Sequence, residues 1–260
     1  MTAAPHGPGA FRRIFWSELF GTALLLLGGL SFVIVMFGTG SPMARLIPDE
    51  GLRRLITGFL FGSTGASIAL SPLGRASGAH INPAVTFGFW LMHKLDARTA
   101  GVYVAGQMAG AVAGSLPLLA WGAWGKSVDY GATFPGAGYG TGAAFLGEVA
   151  TTFAMVSLLA VFLAFRPLRR FTPAIFPPLY SFMVWAEAPI SGTSTNPARS
   201  FGPSLVSGRW DAGWIYWAGP LLGTLAAAAV CSFLGKRITE ARLYHFEGDR
   251  DRLFRRVSRG

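Results

Sequence analysis

The chain has 260 residues, of which 52% are apolar and only 13% are charged, and its formal net charge at pH 7 is +10. Soluble domains carry about 25% charged residues, so the composition excludes an ordinary water-soluble domain. The basic excess does not indicate a nucleic-acid-binding protein. Of the 22 Lys and Arg residues, 16 fall in segments that would lie on one side of a membrane, as the positive-inside bias requires.

Six apolar stretches follow one another along the chain. Their ranges are 19–37, 55–73, 100–125, 144–165, 174–185 and 212–234. As helices, most are long enough to cross a hydrocarbon core of about 30 Å; the fifth is shorter and contains Pro177 and Pro178. The sequence therefore predicts a six-span membrane protein. The positions of the basic residues predict that both termini are cytoplasmic, in a plasma or inner membrane.

Two further features limit the chemistry of the chain. Residues 236–260 are basic but include Glu247, Asp249 and Asp251, which predicts a solvated cytoplasmic tail at the lipid surface rather than a binding module. Cys231 is the single cysteine, so the sequence predicts neither a disulfide framework nor a thiolate metal site. No metal and no cofactor are expected.

The chain contains an internal repeat. Residues 77–88 align with residues 191–202 at seven identical positions, and both copies contain Asn-Pro-Ala. Each half, about 12–121 and 143–235, holds three of the predicted spans. Because three is an odd number, the second half must enter the membrane inverted with respect to the first. Inverted repeats place their shared site near the membrane midplane, where the two halves meet.

Asn82-Pro83-Ala84 and Asn196-Pro197-Ala198 each predict the start of a helix, because Asn is favoured at the N-cap and Pro at the first helical position. The apolar stretches that follow, 84–92 and 198–206, are too short to cross a membrane and fit re-entrant half-helices. Entering from opposite faces, they would meet at their N-termini, each with about half a positive charge. The two Asn amides would add hydrogen-bond donors there. This predicts a path for neutral permeants that repels cations.

These motifs resemble one protein family along nearly the whole chain. Ser77-Gly-Ala-His-Ile-Asn-Pro-Ala-Val-Thr86 and Asn196-Pro-Ala-Arg-Ser-Phe-Gly202, with Glu18 and Gln107, look like the aquaporin (major intrinsic protein) family, bacterial type. The resemblance implies an all-α membrane protein with six transmembrane helices and two re-entrant half-helices in an inverted repeat, over residues 1–235. It also implies a homotetramer in contact with membrane lipids. Each subunit would be a channel for water and small neutral solutes and not an enzyme.

Glu18 and Glu148 are the acidic residues that the predicted spans place inside the membrane, and such residues are functional candidates. If they exchanged protons, the protein would be a proton-coupled secondary transporter. The resemblance implies instead that they support the re-entrant loops by hydrogen bonds. His80 has no other His, Cys or carboxylate at ligand spacing, so we expect it to support its loop or line the pore rather than bind a metal.

Two other classes of function are weaker alternatives. An intramembrane enzyme would need a Ser/His or paired-Asp constellation near the half-helices, and the sequence has none there. A purely structural junction protein of the same family stays open.

The positions of the pore constriction are assigned from the family resemblance, at the same distances in sequence from the two Asn residues and with no gaps allowed. The four positions are Gly62, Val184, Thr193 and Arg199. Small or aliphatic residues at the first two imply a wide opening that passes glycerol or undissociated metalloid acids. Ser200 and the pair Tyr216-Trp217 instead resemble water-selective members, so a strictly water-selective channel is the alternative.

Phe61 is the other candidate for the first position of the constriction. A one-residue slip near Pro72 would bring Phe61 there in place of Gly62, and only one of two adjacent helical residues can face the pore, since they differ in direction by about 100°. We expect Gly62, because the loop 77–82 matches the family in length.

Overall fold

The computed structural model describes residues 8–233, which form helices joined by short connections, with no β-strand in that range. The predicted tail at 236–260 and the end of the second half at 235 lie outside the described residues. The α-helices are α1 Pro8–Phe37, α2 Met43–Leu46, α3 Glu50–Leu70, α4 Pro72–Ser77, α5 Pro83–Leu91, α6 Ala97–Ser115, α7 Gly122–Lys126, α8 Thr141–Ala164, α9 Thr172–Ser191, α10 Pro197–Ser207 and α11 Ile215–Phe233. Short 3₁₀ helices lie at Leu116–Trp121, Asp129–Gly131 and Arg169–Phe171.

The predicted half-helices are α5 and α10. Each begins at the proline of an Asn-Pro-Ala element, and the preceding Asn caps it. Oδ1 of Asn82 accepts a hydrogen bond from the N–H of Ala84 at 2.8 Å, and Oδ1 of Asn196 accepts one from the N–H of Ala198 at 3.0 Å. With 9 and 11 residues that rise 1.5 Å each, neither helix can cross a bilayer. The prediction of two short, Asn-capped helices is confirmed.

Six longer helices, α1, α3, α6, α8, α9 and α11, account for the predicted spans. Four stretches have both the length and the hydropathy of a membrane span: Gly9–Phe37, Ala97–Lys126, Thr141–Ala164 and Ile215–Phe233. Helices α3 and α9, with 21 and 20 residues, are long enough but less apolar. The first contains two arginines, and the second contains a glutamate and three internal prolines. The fold is the predicted one, with six spans and two half-helices.

The outer surface of the bundle is apolar. Large side chains that are exposed on it include Phe20, Leu24, Phe59, Leu146, Phe182, Trp185, Leu222 and Leu225. Soluble monomers rarely expose contiguous apolar surface on this scale. The surface is that of a multi-pass membrane protein.

Glycines bring pairs of spans into close contact. Helix α1 packs along α6, α8 along α11, and α3 along α9. A Cβ atom at Gly106 of α6 would lie 2.6 Å from the carbonyl oxygen of Phe15 in α1, and one at Gly62 of α3 would lie 2.5 Å from the carbonyl oxygen of Phe176 in α9. Both distances are too short for a real contact, so any side chain would push the helices apart. Small residues at interfaces are a general device of membrane helix packing.

This packing corrects the expectation that Gly62 faces the pore. Gly62 faces the backbone of α9, and its lack of a side chain is what allows α3 and α9 to approach each other. Phe61, one residue earlier, therefore points in a direction that differs by about 100°.

One of two predicted span boundaries needs correction. The third span, Ala97–Lys126, agrees with the predicted range 100–125, although α6 itself ends at Ser115 and a 3₁₀ helix containing Pro117 continues it. The fifth span extends beyond residue 185. Helix α9 continues to Ser191, where Gly192 at φ 89° ends it, as glycine in the left-handed conformation commonly does. This extension brings Glu187 into the helix.

Candidate functional site

The two half-helices meet N-terminus to N-terminus through their capping asparagines. Nδ2 of Asn82 donates to the carbonyl oxygen of Thr195 at 2.9 Å, and Nδ2 of Asn196 donates to the carbonyl oxygen of Ile81 at 2.9 Å. Each asparagine therefore caps its own helix and binds the loop of the other half. An amide nitrogen has two donors, so one N–H of each asparagine remains for a permeant. The structure brings together both Asn-Pro-Ala elements as the repeat predicts.

Glu18 holds the loop before α5, residues 77–82. Its carboxylate accepts hydrogen bonds from Oγ of Ser77 at 2.6 Å, the N–H of His80 at 3.0 Å, the N–H of Ile81 at 2.7 Å and Nε2 of Gln107 at 2.8 Å. The side chain is fully buried. These four bonds satisfy the carboxylate inside the protein, so Glu18 supports the loop and does not line the path.

Glu148 holds the loop before α10, residues 191–196, in the same way. Its carboxylate accepts from Oγ of Ser191 at 2.6 Å, the N–H of Ser194 at 2.7 Å and the N–H of Thr195 at 2.8 Å. It too is fully buried. Both acidic residues are thus bound to the loops, which disfavours the proton-coupled transporter, since such a transporter needs a carboxylate in the permeation path.

The backbones of the two loops match each other closely. Ala79 and Ile81 have φ angles of 50° and 42°, and Thr193 and Thr195 have φ angles of 51° and 53°. This left-handed conformation is unfavourable for residues other than glycine. The loops keep it because the carboxylates of Glu18 and Glu148 bind their N–H groups.

A tyrosine from the last span of each half fixes the start of each loop. Oη of Tyr103 donates to the carbonyl oxygen of Ser77, and Oη of Tyr216 donates to the carbonyl oxygen of Ser191 at 2.9 Å. The repeat seen in the sequence is therefore present in the contacts as well.

His80 lies beside the first loop and away from the path. Its ring is 1% exposed and is stacked between Phe89 and Tyr103, with centroid distances of 4.6 and 4.3 Å. Its Nδ1 lies 3.1 Å from Oγ1 of Thr86. Of the two roles left open by the sequence, this geometry fits support of the loop.

A cavity of about 280 Å³ lies next to the second loop and the start of α10. Phe61, Val184, Thr193 and Arg199 all contribute to its wall. The ion pair between Glu50 and Arg54 lies at the same cavity. Much of the remaining wall is apolar and includes Val33, Phe37, Val128 and Phe134.

Arg199 is the second arginine of this cavity wall, besides the ion-paired Arg54. Its side chain is 6% exposed, and Nη1 donates to the carbonyl oxygen of Gly131 at 2.6 Å. Its Cζ lies 5.8 Å from the ring centroid of Phe61. The guanidinium thus donates to a neutral carbonyl, and no carboxylate among residues 8–233 lies within ion-pair distance of it.

Three of the four predicted constriction residues meet at this cavity, and Gly62 does not. Phe61 takes its place and stacks on Tyr180 of α9 at a centroid distance of 5.9 Å. The chain breaks between α3 and α4 at Ser71, whose ψ is 172°. Gly62 lies against the backbone of α9, so the residue found by counting without gaps is one position beyond the residue that lines the cavity.

Glu187 is a site residue that the sequence did not predict, because it lies beyond the predicted end of the fifth span at residue 185. Glu187 is 5% exposed, and its Oε2 accepts a hydrogen bond from Oγ1 of Thr193 at 2.6 Å. The signal was Gly192, a typical residue just beyond a helix C-terminus. Extending the helix to that glycine would have placed a third acidic residue inside the membrane.

The chain matches known proteins over most of its length. A sequence model described as Major intrinsic protein matches residues 9–231. Aquaporin PIP2-7 of Arabidopsis thaliana is 33% identical, over 86% of this chain and 81% of its own length. Aquaporin TIP4-4 of Zea mays is 36% identical, over 77% and 81%. Aquaporin PIP-type of Atriplex canescens is 41% identical, and the match covers 58% of its length.

A solved structure shares the fold. The X-ray structure of the aquaglyceroporin from Plasmodium falciparum superposes with a TM-score of 0.68, covering 86% of this chain and 99% of that one, at 19% sequence identity. The inverted half-helices, the buried polar site and the apolar outer surface define a passive membrane channel rather than an enzyme. The chain belongs to the major intrinsic protein family.

Proposed function

We propose that the chain conducts water and small uncharged solutes along a path between α5 and α10, narrowest where Phe61, Val184, Thr193 and Arg199 meet. The observation that carries the proposal is the shared cavity wall, in which the Arg199 guanidinium lies 5.8 Å from the Phe61 ring. The two asparagine amides at the half-helix N-termini form a second site of hydrogen-bond donors along the path, besides Arg199.

Charge selection follows from the same geometry. The N-termini of α5 and α10 each carry about half a positive charge, and Arg199 adds a full one without an ion-pair partner in residues 8–233. A cation on the path is repelled both at the half-helix N-termini and at Arg199. A water oxygen or a solute hydroxyl can instead accept hydrogen bonds at both places, from the asparagine amides and from the guanidinium.

The constriction combines one polar wall with apolar ones. Phe61 limits its width, while Val184 is aliphatic and shorter than an aromatic residue. Glycerol and undissociated metalloid acids such as boric acid are therefore proposed permeants besides water, and strict selectivity for water is the alternative. Iso-osmotic swelling of proteoliposomes in gradients of glycerol and boric acid tests this proposal. Swelling above the rate of empty liposomes supports it, and swelling only under a water gradient supports the alternative.

We expect mercurials to leave the wild-type channel open. Cys231 lies on α11, half-buried against the apolar core and outside the cavity wall. Thr193→Cys would place a thiol in the wall, so mercuric chloride should abolish most of the water flux of that variant, and a thiol reductant should restore it. Stopped-flow measurements of Thr193→Cys with and without Cys231→Ser provide the matched control. Block of the wild type would instead mean that Cys231 borders the path.

The apolar outer surface and the positions of the basic residues suggest the membrane location and orientation of the channel. We propose a plasma or inner membrane location with both termini in the cytoplasm, supported by basic residues near the chain start and at the connections after the second and fourth spans. The proposed domain covers residues 1–235, with halves of about 12–121 and 143–235. A homotetramer, with lipid against the remaining outer faces, is proposed from the family resemblance.

A further inference from the structure

Glu187 is a buried acidic residue directly behind the cavity wall. It lies on α9 and is 5% exposed, and it is not among the residues of the cavity wall. Oε2 accepts the hydroxyl of Thr193 at 2.6 Å, whereas Thr193 itself belongs to the wall. The threonine hydroxyl is therefore directed away from the cavity and towards the carboxylate.

The other carboxylate oxygen of Glu187 occupies space that a glycine provides. Oε1 has no hydrogen-bond partner within residues 8–233, and a Cβ atom at Gly147 of α8 would lie 2.5 Å from it. Burial of an unsatisfied polar atom is costly, and each such atom in a native protein requires an explanation. Helix packing alone would be served better by an apolar residue at position 187.

The neighbouring polar groups each have a hydrogen-bond partner other than Glu187, and the hydroxyl of Ser191 donates to Glu148. Glu148 of α8 accepts from the second loop. The guanidinium of Arg199 on α10 donates to the carbonyl oxygen of Gly131, and the hydroxyl of Tyr216 on α11 donates to the carbonyl oxygen of Ser191. The hydrogen bond at 2.6 Å that Glu187 accepts is the one from the hydroxyl of Thr193.

The geometry points to Glu187 as a specificity-determining residue of the channel, which positions Thr193 so that its methyl group, and not its hydroxyl, faces the constriction. This inference rests on the proposed function. With Val184 on α9, the oriented Thr193 gives the constriction an apolar side, while Arg199 remains the polar side. Glu187 acts through Thr193 and does not touch the permeant.

Loss of the carboxylate should free the hydroxyl of Thr193. Within residues 8–233 the other acceptor for it is the carbonyl oxygen of Met183, at 3.4 Å, a weak contact. The freed hydroxyl would rotate into the constriction at nearly unchanged width, because hydroxyl and methyl groups are similar in size. A polyol gives up more hydrogen bonds to water than a water molecule does on entering, so the added hydroxyl favours glycerol. One net hydrogen bond predicts a rise of about threefold in the ratio of glycerol to water permeability.

The test compares Glu187→Leu with Glu187→Gln in proteoliposomes. Water permeability is measured by stopped-flow light scattering and glycerol permeability by iso-osmotic swelling. Glu187→Leu removes the acceptor and should raise the ratio about threefold. Glu187→Gln keeps an oxygen that can accept from Thr193, so its ratio should stay within about 1.5-fold of the wild type.

The Thr193→Val background provides the matched control, because valine has no hydroxyl to release. In that background Glu187→Leu should leave the ratio unchanged. Gly147→Ala is the second variant: its methyl group would displace the carboxylate of Glu187, so it should shift the ratio in the same direction when Thr193 is present and not in the Thr193→Val background. Gly147→Ala decides the question if Glu187→Leu does not fold.

Three results would overturn the inference. A shift that persists in the Thr193→Val background means that Glu187 acts without Thr193. A shift in Glu187→Gln as large as that in Glu187→Leu means that charge, and not the hydrogen bond, matters. An unchanged ratio in a folded Glu187→Leu variant removes the role altogether. If the wild type conducts neither water nor glycerol, the proposed function itself fails, which is a separate result.

Discussion

Phe61→Ala should raise glycerol permeability about tenfold or more. The ring of Phe61 limits the width of the constriction, and a difference of a few carbon atoms in a pocket changes discrimination by at least that factor. Phe61 contributes to the cavity wall beside Arg199. Water permeability should change little, since water already passes the wild-type opening. Iso-osmotic swelling of proteoliposomes in a glycerol gradient measures the change.

Gly62→Ala is the matched control for Phe61→Ala. Its Cβ would lie 2.5 Å from the carbonyl oxygen of Phe176, so it should lower the thermal stability or folded yield of the protein and leave the glycerol-to-water ratio of the folded fraction unchanged. A well-folded Gly62→Ala variant with altered selectivity, together with unchanged glycerol flux in Phe61→Ala, would assign the constriction to Gly62 instead.

Arg199→Val should open a leak for protons or small cations while water flux is kept or raised. Arg199 is the cavity-wall cation that lacks an ion-pair partner in the described range 8–233. A full charge at contact distance is worth several kcal/mol even at an effective dielectric constant of about 20. We therefore expect the leak to increase on the order of tenfold or more. Electrical recording, or a pH-sensitive dye trapped in liposomes, measures it.

Arg199→Lys separates charge from geometry in this test. Lysine keeps the positive charge but not the planar guanidinium, so its leak should stay near that of the wild type even if its water flux changes. The proposed role fails if a folded Arg199→Val variant shows no new leak, or if Arg199→Lys leaks as much as Arg199→Val does.

The parts of the site that the sequence predicts are those fixed by local chemistry and by the repeat. Asn82 and Asn196 cap the half-helices because Asn-Pro favours that start wherever it occurs. Glu18 and Glu148 could be paired because they occupy matching places in the two halves. These predictions needed no knowledge of how the helices pack.

The missed parts depend on packing between distant segments. Phe61 lies one position before the residue that counting without gaps gives, and only the packing of α3 on α9 shows that Gly62 faces the α9 backbone and Phe61 the cavity. Gly131 accepts from Arg199 across 68 positions of sequence, through a backbone atom that every residue has. Glu187 lies two residues beyond the predicted end of the fifth span at residue 185, whereas helix α9 continues to Ser191.

Osmotic water permeability of the wild-type protein in proteoliposomes, with and without a proton gradient, tests the central claim that the paired half-helices form a passive channel. The account predicts a stopped-flow rate well above that of empty liposomes, with a weak temperature dependence and no response to the gradient. A rate equal to that of empty liposomes would contradict it. So would a flux that requires the gradient, because Glu18 and Glu148 would then exchange protons instead of holding the loops.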